Sequence, residues 1–174
     1  ALCIYAGPQA KQHLSRHGLS ASDVGVIPAA AGGPKGLILG PIDRFLFNEW
    51  LPNSQQTIDL VGASIGAWRM ATACMPNSLA GLLRLEHDYI HQHYELKPGQ
   101  KFPSAQQVSD AFRDNLDLFY GGSIESLLTH PRYRLHVLTS RGKGLLKREH
   151  PLLSPLGYGV AFLSNIIHRK AMAA

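Results

Sequence analysis

Five residues at positions 62–66, Gly62-Ala63-Ser64-Ile65-Gly66, constrain this chain more than any others. The segment ahead of them, TIDLVGA at 57–63, is apolar with β-branched residues. The segment after, GAWRMATACM at 66–75, is rich in Ala and Met. The first pattern predicts a buried strand and the second a helix. A strand must therefore turn into a helix at one serine, with no loop residues to spare. So tight a turn strains its central residue, and flanking glycines remove the Cβ atoms that would clash. Ser64 is expected to stand out from the turn, its hydroxyl at the positive end of a helix. Strand, G-x-S-x-G and helix together describe a nucleophile elbow. The pentapeptide alone recurs by chance in roughly one chain of this length in ten or twenty; its flanks give it weight. A serine nucleophile then requires an oxyanion hole and a base.

A second glycine-rich segment, AAAGGPKGL at 29–37, follows another short apolar segment, DVGVIPAA at 23–30, which predicts a buried strand. Gly32 and Gly33 allow the backbone to approach a reacting group with N–H groups turned the same way. Lys35 adds a positive charge, and a helix N-terminus adds its partial charge. Such a loop stabilises an oxyanion or a phosphate. It lacks the G-x-x-x-x-G-K-[ST] of a nucleotide P-loop. It approaches G-x-G-x-x-G with Ala31 in the first place, so a dinucleotide site is the rival. That site wants an acidic residue at the end of the second strand, whereas Asp59 stands near its beginning.

The two motifs together carry a resemblance. A strand ending in Gly-Gly-x-Lys-Gly, followed one β-α unit later by G-x-S-x-G on an elbow, resembles the patatin-like phospholipase family. The match covers about residues 24–72 with specificity, and RLHVLTSRGKGLL at 134–146 resembles a later family strand loosely. The resemblance implies a three-layer α/β fold, a mainly parallel sheet flanked by helices, and acyl hydrolysis of phospholipids and related esters. It implies Ser64 as nucleophile between Gly62 and Gly66. Gly32 and Gly33 become the oxyanion donors, with Lys35 in the basic position and Gly36 as the last glycine. No cofactor or metal is implied. The partner is a lipid or other ester substrate.

Elsewhere, the periodicity predicts helices at 8–18, 37–51, 77–94, 105–122 and 154–170 and a third strand at 133–142. Ile38, Ile42, Phe45 and Leu46 are expected to form the inner face of the helix at 37–51. Leu79, Leu82, Leu83, Tyr89 and Ile90 are expected to do so at 77–94. Strands alternating with helices indicate α/β with a parallel sheet, and three strands make it a thin one.

The base is the missing part. Patatin-like enzymes use a Ser–Asp dyad whose Asp lies in an Asp-Gly motif downstream. The aspartates here, at 23, 43, 59, 88, 110, 114 and 117, are never followed by Gly. Residues 1–174 are accordingly expected to be the N-terminal part of one catalytic domain, with its base beyond residue 174 and little activity alone. A conventional esterase would place a His after the nucleophile, and His130, His136, His150 and His168 follow Ser64 with Asp110, Asp114 and Asp117 before them. A non-enzymatic phosphate- or nucleotide-binding module using Gly32 to Gly36 is a further alternative. His87 and His91 lie one helical turn apart but lack a third metal ligand, because His93 points elsewhere.

Charge bears on partners. Net charge is +5, which favours anionic surfaces such as phospholipid, with basic residues concentrated after Arg132. No nucleic-acid motif or aromatic-interleaved basic stripe is present. Cys3 and Cys74 lie in apolar stretches without disulfide or metal spacing, which predicts reduced, buried thiols. With no secretory signal pattern or membrane-spanning run, a cytoplasmic location, peripheral at membranes, is the expectation.

Overall fold

The apolar segment around residue 60 becomes the central strand of a three-stranded, wholly parallel sheet in the order β1-β2-β3. Its strands are β1 (Val26–Ala29), β2 (Ile58–Ala63) and β3 (Tyr133–Leu138). The computed structural model describes residues 3, 5–96, 98–147, 150 and 152–168. Helices join the strands, as a parallel sheet requires. In chain order they are α1 (Pro8–His17), α2 (Gly40–Phe45), α3 (Ile65–Ala73), α4 (Ser78–Ile90), α5 (Ala105–Tyr120), α6 (Ile124–Leu128) and α7 (Leu153–Ile167). The fold class is α/β, as the order of segments predicted.

Register decides which side chains meet the core. Ile27, Leu60 and Leu135 are opposite one another, and so are Ala29, Gly62 and Val137. With side chains alternating along each strand, these share one face. Helix α3 packs against all three strands, and Leu51, Ile58, Leu60, Met70 and Cys74 are fully buried. On the other face Val26, Pro28, Arg134 and His136 are exposed, and Asp59 and Val61 half-buried. The short buried strand expected at 23–30 is thus four residues long and covered on one side.

Several expectations are corrected. The helix expected at 37–51 is a composite: a 3-10 stretch (Gly33–Leu39), α2, a π turn (Leu46–Trp50) and a 3-10 turn (Leu51–Asn53). Pro41 falls in the first turn of α2, where its missing N–H is tolerated, so the α-helix starts there instead of running on from residue 37. The change of pitch rotates the faces. Ile38 and Phe45 are exposed, and Asp43, Phe47 and Leu51 point inward. On α4 the buried residues are Gly81, Leu82 and Leu85, while Leu79, Leu83 and Ile90 face outward. Close packing of α4 on α3 selects that narrower stripe around Gly81, where a Cβ would stand 2.8 Å from Thr72 Cγ2. Strand β3 stops at Leu138 rather than residue 142. Cys74 is buried as expected, but Cys3 is exposed, ahead of the first helix. The last residues of the helix expected at 154–170, Arg169 and Lys170, lie outside the described residues.

The chain divides into two compact units, Ala1–Leu138 and Thr139–Ala174. The first holds the sheet and α1 to α6. The second holds a 3-10 turn (Gly144–Leu146) and α7, packed on each other. Among the described residues, no helix is long and apolar enough to cross a membrane.

Candidate active site

Between the end of β2 at Ala63 and the start of α3 at Ile65 there is one residue, Ser64. Its backbone sits at φ 52°, ψ −127°, and among the described residues it is the one non-glycine with positive φ. Holding a side chain in that region costs about 1–3 kcal/mol unless the surroundings impose it. Here they do. A Cβ on Gly62 would lie 2.5 Å from Ala67 Cα, so only glycine lets the strand meet the helix that follows it. A Cβ on Gly66 would lie 2.1 Å from the carbonyl oxygen of Ala29, so only glycine lets α3 press onto the end of β1. The Ser64 carbonyl accepts the N–H of Ala67 at 2.9 Å and of Trp68 at 3.2 Å, which starts the helix.

Ser64 is exposed although Gly62, Ile65 and Gly66 around it are buried. Among the described residues its hydroxyl has no hydrogen-bond partner, and it does not cap α3. A serine heading a helix ordinarily turns its oxygen onto the free N–H groups of the first turn. This one is held away from that bond, in strain, with its Oγ toward solvent.

The glycine loop leaves the neighbouring strand at the same end of the sheet. Ala29 of β1 is in register with Gly62 of β2, and adjacent strands lie about 4.8 Å apart. Loop and elbow therefore start side by side, at the carboxyl ends of parallel strands where open α/β sheets bind ligands. Gly32 is extended in φ (−173°), and Gly33 has φ 54°, a conformation that glycine adopts without strain. A Cβ on Gly36 would stand 2.7 Å from Ile65 Cγ2, so its bareness lets the loop rest on the first residue of the elbow helix. Lys35 is exposed beside it. The residues singled out as donors and nucleophile thus belong to adjoining turns.

One pair escaped the sequence reading. Arg69 on α3 donates from Nε to Asp43 Oδ2 and from Nη2 to Asp43 Oδ1 on α2, the latter at 2.7 Å. Both side chains are buried. This two-pronged bond ties the helix after the glycine loop to the helix after the serine, and so fixes one turn against the other. Arg69 is the one charged residue in the apolar run at 65–76, and that isolation was the available signal.

Among the described residues no histidine or carboxylate is hydrogen-bonded to Ser64. His136 Nε2 and Asp59 Oδ1 are 2.9 Å apart and have the chemistry of a His–Asp pair. They occupy the exposed sheet face, however. His136 is in register with Val61, three residues short of Ser64, which is roughly 10 Å along a strand. Nδ1 of His130 accepts the N–H groups of Arg132 and Tyr133 at the opposite end of β3. Burial and the Arg132 guanidinium hold its pKa below the usual histidine range. His150 caps α7 by accepting the N–H groups of Leu152 and Leu153, and His168 follows that helix. Asp110, Asp114 and Asp117 lie on α5.

A cavity of about 620 Å³ opens between α4 and α5, lined by Trp68, Arg84, His91, Phe112 and Phe119 among others; Ser64 is not part of its wall. The rings of His87 and His91 stack there, centroids 4.2 Å apart. No group of three His, Cys, Asp or Glu able to hold a metal occurs among the described residues. Burial pushes the Cys74 thiol up to about 12, which keeps it protonated and inert. Compared with family models, curated proteins and solved structures, the chain gives no match in any of the three.

Proposed function

We propose that this chain carries the nucleophile and oxyanion loop of a serine acyl hydrolase acting on lipid esters, in the manner of the patatin-like phospholipases it resembles. One observation supports this above the others: Ser64 is held at positive φ, exposed and without a hydrogen-bond partner among the described residues, on a turn whose glycines cannot be replaced. Backbone strain costs stability, and a turn with only a packing role has no use for it or for a side chain held out into solvent.

In the proposed reaction Ser64 Oγ attacks the ester carbonyl carbon, and the C=O electron pair moves onto oxygen. The Gly32 and Gly33 amides receive that oxyanion, and Lys35 favours it electrostatically. Collapse expels the alcohol, and water then releases the acyl group from Ser64. The serine proton goes to an aspartate outside residues 1–174, where the family resemblance puts the Asp-Gly motif; that acid gives it to the departing alkoxide, then takes a proton from the attacking water and returns it to Ser64 Oγ. A third layer, over the sheet face bearing Val26, Pro28 and Val61, belongs to the same proposal, as does a membrane-peripheral cytoplasmic location.

The test is hydrolysis of a short p-nitrophenyl ester by the protein expressed with its natural continuation past residue 174. Ser64→Ala is expected to lower kcat by at least ~10³ with unchanged circular dichroism. Retained turnover in that variant overturns the assignment.

A further inference from the structure

Helix α7 is built inside out. Its small residues Ser154, Gly157, Ala161 and Ser164 recur at three- and four-residue steps and form its less exposed side. Gly157 is buried, and a Cβ there would stand 2.8 Å from Leu146 Cδ2, so the helix rests on the 3-10 turn at Gly144–Leu146. The large side chains point the other way. Leu156, Phe162, Leu163, Ile166 and Ile167 are all more than half exposed, Ile167 at 80%. Between Leu153 and Ile167 there is no acidic or basic residue.

Charge is distributed just as unevenly. Of the 17 Lys and Arg, six lie after residue 138 (Arg141, Lys143, Lys147, Arg148, Arg169 and Lys170), and of the 12 Asp and Glu only Glu149 does. Residues 1–138 therefore carry 11 of each and are neutral, and the whole net charge of +5 sits in the 36 residues that flank and form α7. Arg141, Lys143 and Lys147 are exposed.

We infer that α7 and its basic flanks are a docking surface for an anionic lipid bilayer. An outward apolar stripe enters the headgroup–acyl boundary, and the exposed Arg141, Lys143 and Lys147 ahead of it pair with anionic headgroups. At about 1.5 Å per residue a helix of this length spans some 22 Å, short of the roughly 30 Å hydrocarbon core, so it lies in the interface rather than crossing it. The charge also argues against a second copy as occupant, because two such surfaces would each bring the exposed Arg141, Lys143 and Lys147 to the contact. The inference rests on the acyl-hydrolase reading for its purpose, since it says how a lipid ester is reached, but docking itself is measured without turnover.

The experiment is vesicle flotation of the Ser64→Ala protein, with phosphatidylglycerol or pure phosphatidylcholine vesicles, at 50 mM and 500 mM salt. Binding to the anionic vesicles is expected to be at least tenfold tighter at low salt and to weaken at high salt. Phe162→Asp with Ile166→Asp should weaken it at least tenfold, and both positions are exposed enough to spare the fold. Lys143→Glu with Lys147→Glu should remove most of the salt dependence. Equal binding to both vesicles, no binding to either, or binding unchanged by Phe162→Asp with Ile166→Asp overturns the inference. So does self-association without vesicle binding, if those two substitutions abolish it in sedimentation. A soluble short-chain ester separates the two readings. Vesicle binding without Ser64-dependent ester turnover leaves docking standing and sinks the hydrolase; normal turnover without vesicle binding does the reverse.

Discussion

The two ends of the one parallel sheet are built on opposite terms. At the amino ends of its strands, polar groups find partners. Nδ1 of His130 accepts two backbone N–H groups, Arg132 Nη2 donates to the Leu51 carbonyl at 2.9 Å, and the Arg132 carbonyl accepts the N–H of Ile58. At the carboxyl ends the chain turns at Ser64 in a strained conformation and presents to solvent a hydroxyl with no partner among the described residues, beside a loop of glycines. Saturated hydrogen bonding holds strands in register; a reacting group requires a side chain held in place and left accessible. Arg132 Nε, buried without a partner, is the exception at the structural end. The difference teaches that the elbow's cost is carried by the other end and by the core beneath α3.

Four experiments press on that contrast. The largest effect is on catalysis. Gly33→Val puts a β-branched side chain at φ 54° in the oxyanion loop and should cost about 3 kcal/mol in kcat, on the order of 10²-fold. The added side chain meets no neighbour, but at positive φ it is strained, so the variant should also lose about 1–3 kcal/mol of stability, and kcat is compared at a temperature where both proteins are folded. Normal kcat would assign the loop a packing role.

Next comes a pure stability effect at the elbow. Gly66→Ala forces a Cβ to within 2.1 Å of the Ala29 oxygen, so α3 must lift from β1. A loss of about 2–3 kcal/mol is expected in urea unfolding, as for other overpacked sites. A loss under about 0.5 kcal/mol would show that α3 does not press tightly on β1 at the elbow.

The third substitution should stabilise. Ser64→Gly relieves the positive φ and should raise the unfolding free energy by about 1 kcal/mol while abolishing turnover. A drop in stability would mean that the hydroxyl has a structural partner.

The smallest effect belongs to the amino end and depends on pH. With its folded pKa below the usual value of about 6.5, His130 adds stability above that pH, and this is lost as pH falls through the folded value. His130→Asn keeps an acceptor for the same two N–H groups and cannot titrate. The melting temperature of the variant should therefore fall less than that of the parent between pH 7 and pH 5. Equal slopes would deny His130 that role.

How much of this was legible in advance follows from which forces are local. The parallel α/β order, the strand-to-helix turn at Ser64 and the glycine loop after β1 were readable, because backbone sterics at Gly62, Ser64 and Gly66 act over a few residues. Which side of the 37–51 segment faces inward was not. Its α-helix begins only at Gly40, and the buried Asp43–Arg69 pair rather than Ile38 or Phe45 sets its orientation. The exposed Cys3 was missed for a related reason, since apolar neighbours in sequence do not amount to a covering layer.

The sequence by itself determined that Ser64 would be strained and that positive charge would gather after residue 138, since both are properties of short stretches. Only the tertiary structure decided that the glycine loop adjoins the elbow, that Arg69 clamps α2 to α3, that His136 and Asp59 pair away from Ser64, and that α7 turns its large apolar side chains outward. Each depends on strand register or on which helix face meets a neighbour. Those are set by packing between segments far apart in the chain, where no local pattern reaches.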